Sequence, residues 1–294
     1  MKAGQASQTA VMVCMGRALA HGRTTVSDFS DPTALTLLPD EARVRVERIR
    51  SGERGSMVDS IRNAIIAKRS QMMIARTVAI DRAVRSATAP QVVILGAGLD
   101  GRAWRMSELK DTVVFEVDHP DSQRDKRARA ARLNPECQAV RFVPVDFARD
   151  NLDQALAAAG HDPTAPTTWV WEGVVMYLTL DQIEATLKIV GRRSAPGSRL
   201  IIAYFQPALI LKLIGWLLAR VGEPLRSTQT PEEMRAILRS HDFTVQQDED
   251  LGLIAGRLSS ELAAATKQSR HMRIVTADKS VANANSATAV LADR

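Results

Sequence analysis

Two rhythms divide the chain. Through the first ninety residues the apolar positions recur mainly at helical spacing. Beyond them, short apolar runs alternate with helical stretches. Over 57–86, Ile61, Ile65, Met72, Ala75 and Ala79 follow the helical period and predict one long helix. Asp31-Pro32 and Ser51-Gly52-Glu53-Arg54-Gly55 break the pattern before it, and Ala89-Pro90 punctuates the entry into the first strand. Strands are predicted at 91–95, 113–118, 140–146, 168–172, 199–205 and 243–247, with a last one at 287–292. Thr179-Leu-Asp-Gln182 and Thr230-Pro-Glu-Glu233 are capping boxes opening two of the intervening helices, and Ser194-Ala-Pro-Gly-Ser198 is the turn into the fifth strand. Strand and helix in alternation predict an α/β fold, Rossmann-like, with a mostly parallel sheet covered by helices on both faces.

The first strand runs into Gly96-Ala-Gly98-Leu-Asp100-Gly101. Taken alone this fits the dinucleotide fingerprint G-x-G-x-x-G, and Asp118 follows at about the expected ~20 residues. Asp100 argues against a pyrophosphate. It would set a carboxylate beside an anion that needs the same helix N-terminus. A cofactor with a cationic or zwitterionic centre suits the loop better, and S-adenosylmethionine, with a sulfonium and an α-ammonium and no phosphate, has that character. The next three strands also end in acids: Asp118, Asp146 and Glu172. Ligands of open α/β sheets bind outside these strand ends. Asp118 is placed for a ribose diol, Asp146 and Phe147 for the amine and ring face of an adenine, and Glu172 for the amino-acid end. Glu116 shares the strand face of Asp118 and is expected behind it. Each acid also has a plainer reading as a cap of the following helix.

Composition narrows the class. A chain of 294 residues with 45% hydrophobic residues suits one large α/β domain. Cys14 and Cys137 lack metal or redox spacing, which points to a reducing cytoplasm. No histidine pair among His21, His119, His161, His241 and His271 has metal-ligand spacing. The net charge of +6 is modest. Its densest cluster, Arg124, Lys126, Arg127, Arg129 and Arg132 on a predicted surface helix, has no interleaved aromatics, so no nucleic-acid partner is expected. The apolar run 10–15 is too short for a secretory signal, and 209–221, interrupted by Lys212 and Arg220, is too short for a membrane span. Leu209, Leu213, Trp216, Leu217 and Val221 can share a helix face, which would serve as a lid, a homodimer contact or a membrane-surface contact.

Ser7-Gln-Thr-Ala10, Arg17-Ala18, Asp31-Pro32, Arg76-Thr77, the strand and glycine loop 92–102, Val114-Phe-Glu-Val-Asp-His-Pro120, Arg141-Phe-Val-Pro-Val-Asp-Phe147 and Trp171-Glu-Gly-Val-Val-Met-Tyr-Leu-Thr179 occur in that order. Together they resemble the leucine carboxyl methyltransferase family, whose bacterial branch includes the tetracenomycin polyketide O-methyltransferase type. The Val-Asp-His-Pro and Trp-Glu-Gly-Val stretches are its most specific part. The resemblance implies a methyltransferase-type seven-stranded sheet and S-adenosyl-L-methionine as cofactor. It implies Arg76 at the cofactor carboxylate, Gly96 and Gly98 in the loop, Asp118 at the ribose, Asp146 and Phe147 at the adenine, and Glu172 near the amino group. Gly101 stands where the family usually has threonine, so a side-chain hydrogen bond or helix cap is expected to be lost.

These readings give a single domain: an N-terminal helical cap over 1–89, a cofactor core over 90–205, a lid insertion over 206–229 and the rest of the core over 230–294. The expected reaction is methyl transfer to an oxygen, favouring a carboxylate of a small-molecule, peptide or polyketide acceptor. A carboxylate is already ionised at neutral pH and needs no base. Tyr177 and His119 are the candidate catalytic side chains, with Gln8 and Thr9 as further candidates. The two tryptophans of Trp169-Val-Trp171 are read as packing. Hydroxyl methylation is the alternative. A nicotinamide oxidoreductase and a non-catalytic cofactor-binding protein are the readings from other classes.

Overall fold

The computed structural model describes residues 7–53, 56–147, 149–209, 211 and 224–280. Four helices precede the sheet: α1 (Gln8–Ala20), α2 (Ala34–Leu37), α3 (Asp40–Ser51) and α4 (Met57–Ala87). Then come β1 (Gln91–Leu95), α5 (Arg102–Arg105), β2 (Val113–Asp118), α6 (Pro120–Ala130), β3 (Ala139–Pro144), α7 (Leu152–Ala158), β4 (Thr167–Trp171), α8 (Leu180–Arg192) and β5 (Arg199–Phe205). The order closes with α9 (Pro231–Ser240), β6 (Phe243–Asp250), α10 (Leu251–Leu258), α11 (Ser260–Thr266) and β7 (Met272–Lys279).

The seven strands form one sheet in the order β3-β2-β1-β4-β5-β7-β6. β1 to β5 run parallel and β7 is antiparallel to both its neighbours. The chain reverses direction across the sheet between β1 and β4, and that is where an open α/β sheet leaves a crevice. Among the described residues the last strand is Met272–Lys279, and the predicted strand at 287–292 lies outside them. The β-branched run Ile274-Val275-Thr276 signals β7, which pairs antiparallel with β5. The predicted lid helix also falls outside the described residues, apart from exposed Leu209 and buried Leu211. The chain leaves and returns at fixed points: Arg226 N–H donates to the Met176 carbonyl at 2.8 Å and Gln229 N–H to Phe205 at 3.0 Å.

Strand periodicity sorts the core into two layers. Val92, Ile94, Val114, Val170, Ile201 and Ala203 face a cluster built with α1 to α4, α10 and α11. Val93, Leu95, Phe115, Val117, Trp169, Trp171, Leu200 and Ile202 face α7, α8 and α9. The first helices are thus walls of the same core as the sheet. On α4 the inward stripe is Ile66, Ile74, Val78 and Ile80, and Ile65 is turned outward. Both tryptophans are fully buried, with Trp169 Nε1 donating to Ser194 Oγ at 2.9 Å. Both capping boxes form.

The basic cluster of α6 is not a free cationic face. Lys126 is buried and reaches Glu116 at 2.7 Å, Arg129 Nε donates to the Leu37 carbonyl at 2.7 Å, and Arg127 lies over Phe142. Glu116 is fully buried, and its Oε2 has no hydrogen-bond partner. Burial pushes its carboxyl up to about 7 in spite of Lys126. A carboxyl raised in the fold holds its proton more tightly there than in the unfolded chain. Its contribution is full below the unfolded value of about 4 and is lost as pH rises through about 7. We therefore expect Glu116→Gln to flatten the fall in Tm between pH 5 and pH 8. Equal slopes for variant and parent in a thermal melt series would contradict this.

Candidate cofactor site

The glycine loop opens from β1 by a backbone no other residue adopts easily. Gly96 has φ of 69° and Gly98 of 46°. A Cβ on Gly96 would lie 2.2 Å from Val174 Cγ2, and one on Gly98 would lie 3.2 Å from Ala10 Cβ of α1. The loop is thus pressed between the end of β4 and the first helix. Gly96 and Ala97 both donate backbone N–H to the Val117 carbonyl, at 2.8 and 3.0 Å. Gly98 N–H donates to Asp118 Oδ2 at 2.5 Å, and His119 N–H to Oδ1 at 2.6 Å. Burial nevertheless holds the Asp118 carboxyl above its ordinary range.

Asp100 and Glu172 are brought together, through a residue that sequence reasoning missed. Arg102 is 2% exposed. Its Nη1 meets both Asp100 Oδ2 and, at 2.9 Å, Glu172 Oε2, while its Nε donates to Asp81 at 2.8 Å. Arg76, on the helix that precedes the first strand, is buried with its Nε 2.7 Å from Glu172 Oε1. That N–H is not aimed at the oxygen, so the contact is an ion pair without a hydrogen bond. Arg105 reaches Asp81 at 2.7 and 3.0 Å. Arg17 of α1 reaches Asp31 at 2.7 Å, and Asp31 lies 3.9 Å from Arg105. Four arginines (17, 76, 102 and 105) thus interleave with four acids (31, 81, 100 and 172) in one buried network without net charge. Burial pushes the Glu172 carboxyl up, but Arg76 and Arg102 outweigh it and hold it below its ordinary range. Burial likewise opposes ionisation of Asp100; Arg102, Lys126 and Arg17 bring it to about 2. Asp100 is therefore not a carboxylate left for a ligand's cation: Arg102 takes up its charge, and its Oδ1 accepts from Arg102 N–H at 2.8 Å. The spacing Asp100-x-Arg102-x-x-Arg105 right after the loop is the signal that could have revealed the missed arginines.

The remaining predicted residues sit beside this centre. Asp146 and Phe147 follow β3 in a turn where Asp146 N–H donates to Asp150 at 2.8 Å and the neighbouring Val145 N–H to the Asp118 carbonyl, also at 2.8 Å. The Asp146 carboxylate lies 3.8 Å from Arg149 Nε. Tyr177 ends a 3-10 turn, Val175–Tyr177, and its hydroxyl is 3.4 Å from Thr9 Oγ1 of α1. Gln8 stands one residue before, at the start of α1. His119 caps α6, its Nδ1 accepting from Asp121 N–H at 3.3 Å. Gly173, with φ of 74°, has open space where a Cβ would be.

The family described as leucine carboxyl methyltransferase matches residues 10–191. A relative from Mycolicibacterium gilvum is 34% identical over 275 residues, covering 89% of this chain and 87% of the relative. A relative from Frankia alni is 38% identical over 156 residues, and there the match spans about half of each chain, 52% and 54%. Both are named as candidate S-adenosyl-L-methionine-dependent methyltransferases. Among solved structures, a DUF574 family protein from Streptomyces avermitilis superposes with a TM-score of 0.59 at 13% identity, covering 94% of this chain and 98% of that one. A candidate methyltransferase from Thermobifida fusca gives 0.58 at 15% identity, covering 95% and 97%. Fold and relatives define the class, that of the S-adenosylmethionine-dependent methyltransferases. Within it, the chain belongs to the leucine carboxyl methyltransferase family.

The residues present fit that cofactor's amino-acid end. A network already balanced in charge accepts a zwitterion without net cost in charge, whereas a pyrophosphate would add two negative charges. Arg76 carries a buried N–H without an acceptor, beside an acid that can take an ammonium.

Gly101 has a steric reason. A Cβ there would lie 2.1 Å from Thr33 Oγ1 and 3.3 Å from Asp31 Oδ1. The space of a side chain at 101 is filled by the Thr33 hydroxyl, which donates to Asp31 at 2.7 Å. We expect Gly101→Thr to cost about 1–3 kcal/mol by overpacking. Thr33→Ala in the same chain should recover at least half of that loss. Additive losses in denaturant melts of the single and double variants would contradict the shared space.

Proposed function

We propose that the chain transfers the methyl group of S-adenosylmethionine to a carboxylate oxygen of a small-molecule, peptide or polyketide acceptor, yielding a methyl ester. When bound, the cofactor supplies an electrophilic methyl on its sulfonium. In this reading Arg76 binds its carboxylate and Glu172 its ammonium, while Asp118 accepts from the ribose hydroxyls and Asp146 and Phe147 meet the adenine. Gly96 and Gly98 keep the loop backbone close. The chain acts as one domain, with 1–89 as the cap, 90–205 and 230–294 as the core and 206–229 as a lid that excludes water. The return of that segment to the Met176 carbonyl, next to Tyr177, supports the lid. We place the enzyme in the cytoplasm. No described helix is long and apolar enough to cross a membrane.

One observation carries the choice of a carboxylate. His119 is the histidine at the cofactor edge, and its Nδ1 is the acceptor that caps α6. A neutral ring that accepts at Nδ1 carries its proton at Nε2 and has no outward lone pair for a hydroxyl proton. His161, buried between Phe115 and Trp169, is held down to about 4 by burial and by Arg193, at the opposite end of the strands. A carboxylate acceptor asks for no base, only in-line positioning and a dry site. Tyr177 and Thr9 are the side chains we assign to orienting the acceptor.

The test follows label from methyl-labelled cofactor into an acceptor drawn from a small-molecule extract. The label should leave as methanol under mild alkali, and His119→Ala should keep turnover within a few-fold. Removal of a true general base would cost roughly 10²–10⁴ in rate. Alkali-stable label together with such a defect would establish hydroxyl methylation instead.

A further inference from the structure

The glycine loop is held from outside the sheet. Arg17 of α1 is 7% exposed and uses both ends of its guanidinium. Its Nε donates to Asp31 Oδ2 at 2.7 Å, and its Nη2 donates to the carbonyl of Leu99, inside the loop, at 2.5 Å. Asp31 is itself fixed: its Oδ1 accepts from Thr33 Oγ1 at 2.7 Å, Ala34 N–H at 3.0 Å and Thr33 N–H at 3.2 Å. Leu99 lies between Gly98, whose N–H meets the Asp118 carboxylate, and Asp100, whose carboxylate meets Arg102. Further along α1, Ala10 packs on Gly98, and Thr9 meets Tyr177. One helix thus touches the loop at Gly98 and Leu99 and the turn after β4 at Tyr177.

We propose that Arg17 is a positioning residue for the cofactor site: anchored by Asp31, it holds the Leu99 carbonyl and thereby fixes Gly98 N–H and the Asp100 carboxylate in their places. The inference rests on the reading of this edge as the S-adenosylmethionine site. The planar fork of an arginine can serve a carboxylate and a carbonyl in two directions at once, and a lysine ammonium cannot span both. The two anchor points are in sequence far apart, 14 residues to Asp31 and 82 to Leu99. The cap therefore reaches the backbone carbonyl at the middle of the loop through this side chain.

Arg17→Lys keeps the buried charge and separates positioning from folding. We expect it to bind S-adenosylhomocysteine at least tenfold more weakly by calorimetry, at a temperature where its near-ultraviolet dichroism matches the parent. In the ligand-free protein, amide exchange at Leu99 and Asp100 should quicken, while α8 on the opposite face should not change. A merely structural arginine would lower Tm and leave both readings alone. Affinity within twofold of the parent, or unchanged loop exchange, overturns the proposal. Should Arg17→Lys not fold, the parent decides: S-adenosylhomocysteine must slow exchange in the second half of α1 together with the loop, and protection of the loop alone overturns the clamp. A parent that does not bind S-adenosylhomocysteine refutes the cofactor reading, and the ligand-free loop exchange still decides the role of Arg17.

Discussion

The ion pair of Glu172 with two arginines is the constraint around which the site is arranged. One carboxylate at the end of β4 meets Arg76 from α4 and Arg102 from the start of α5. Through Arg102 the pairing extends to Asp100 and Asp81, and through Arg105 to Asp31 and Arg17. Charges buried this deeply are tolerated only when paired. Removing any one member would leave its partner uncompensated, at a typical cost of about 3–5 kcal/mol. The network therefore ties together the cap, α4, the glycine loop and the end of β4, which must be in register for a ligand to bind at the edge.

The same requirement explains why the first helices belong to the site. They carry Arg17, Asp31, Arg76 and Asp81, half of the network's members, and they share one apolar cluster with the sheet. Apolar packing supplies the burial, and burial makes the ion pairs obligatory.

Much of this was legible in the residues themselves. Short apolar runs place the first five strands within a residue or two of their observed bounds, because a strand buried on both faces reads as a nearly continuous apolar run. The turn at Gly96 and Gly98 was legible because a tight turn at a strand end demands residues that adopt positive φ. Three things were not. β7 pairs antiparallel with β5, a long-range partnership that leaves no local mark beyond Ile274-Val275-Thr276. The partners of arginines 17, 102 and 105 are not written in local spacing alone, because an ion network is built in three dimensions from positions as distant as Arg102 and Glu172. Lys126 stands in a basic run that reads as a surface, although its partner Glu116 lies ten residues before it on the adjoining strand.

Affinity for the amino-acid end of the cofactor tests the central claim most directly. S-adenosylhomocysteine carries that end, and 5′-methylthioadenosine has the same adenine, ribose and thioether without it. If the balanced network reads the zwitterion through Arg76 and Glu172, calorimetry will show methylthioadenosine binding at least a hundredfold more weakly, and Arg76→Met will close most of that gap. Equal affinities for the two ligands would mean that the buried arginines and acids only hold the fold together.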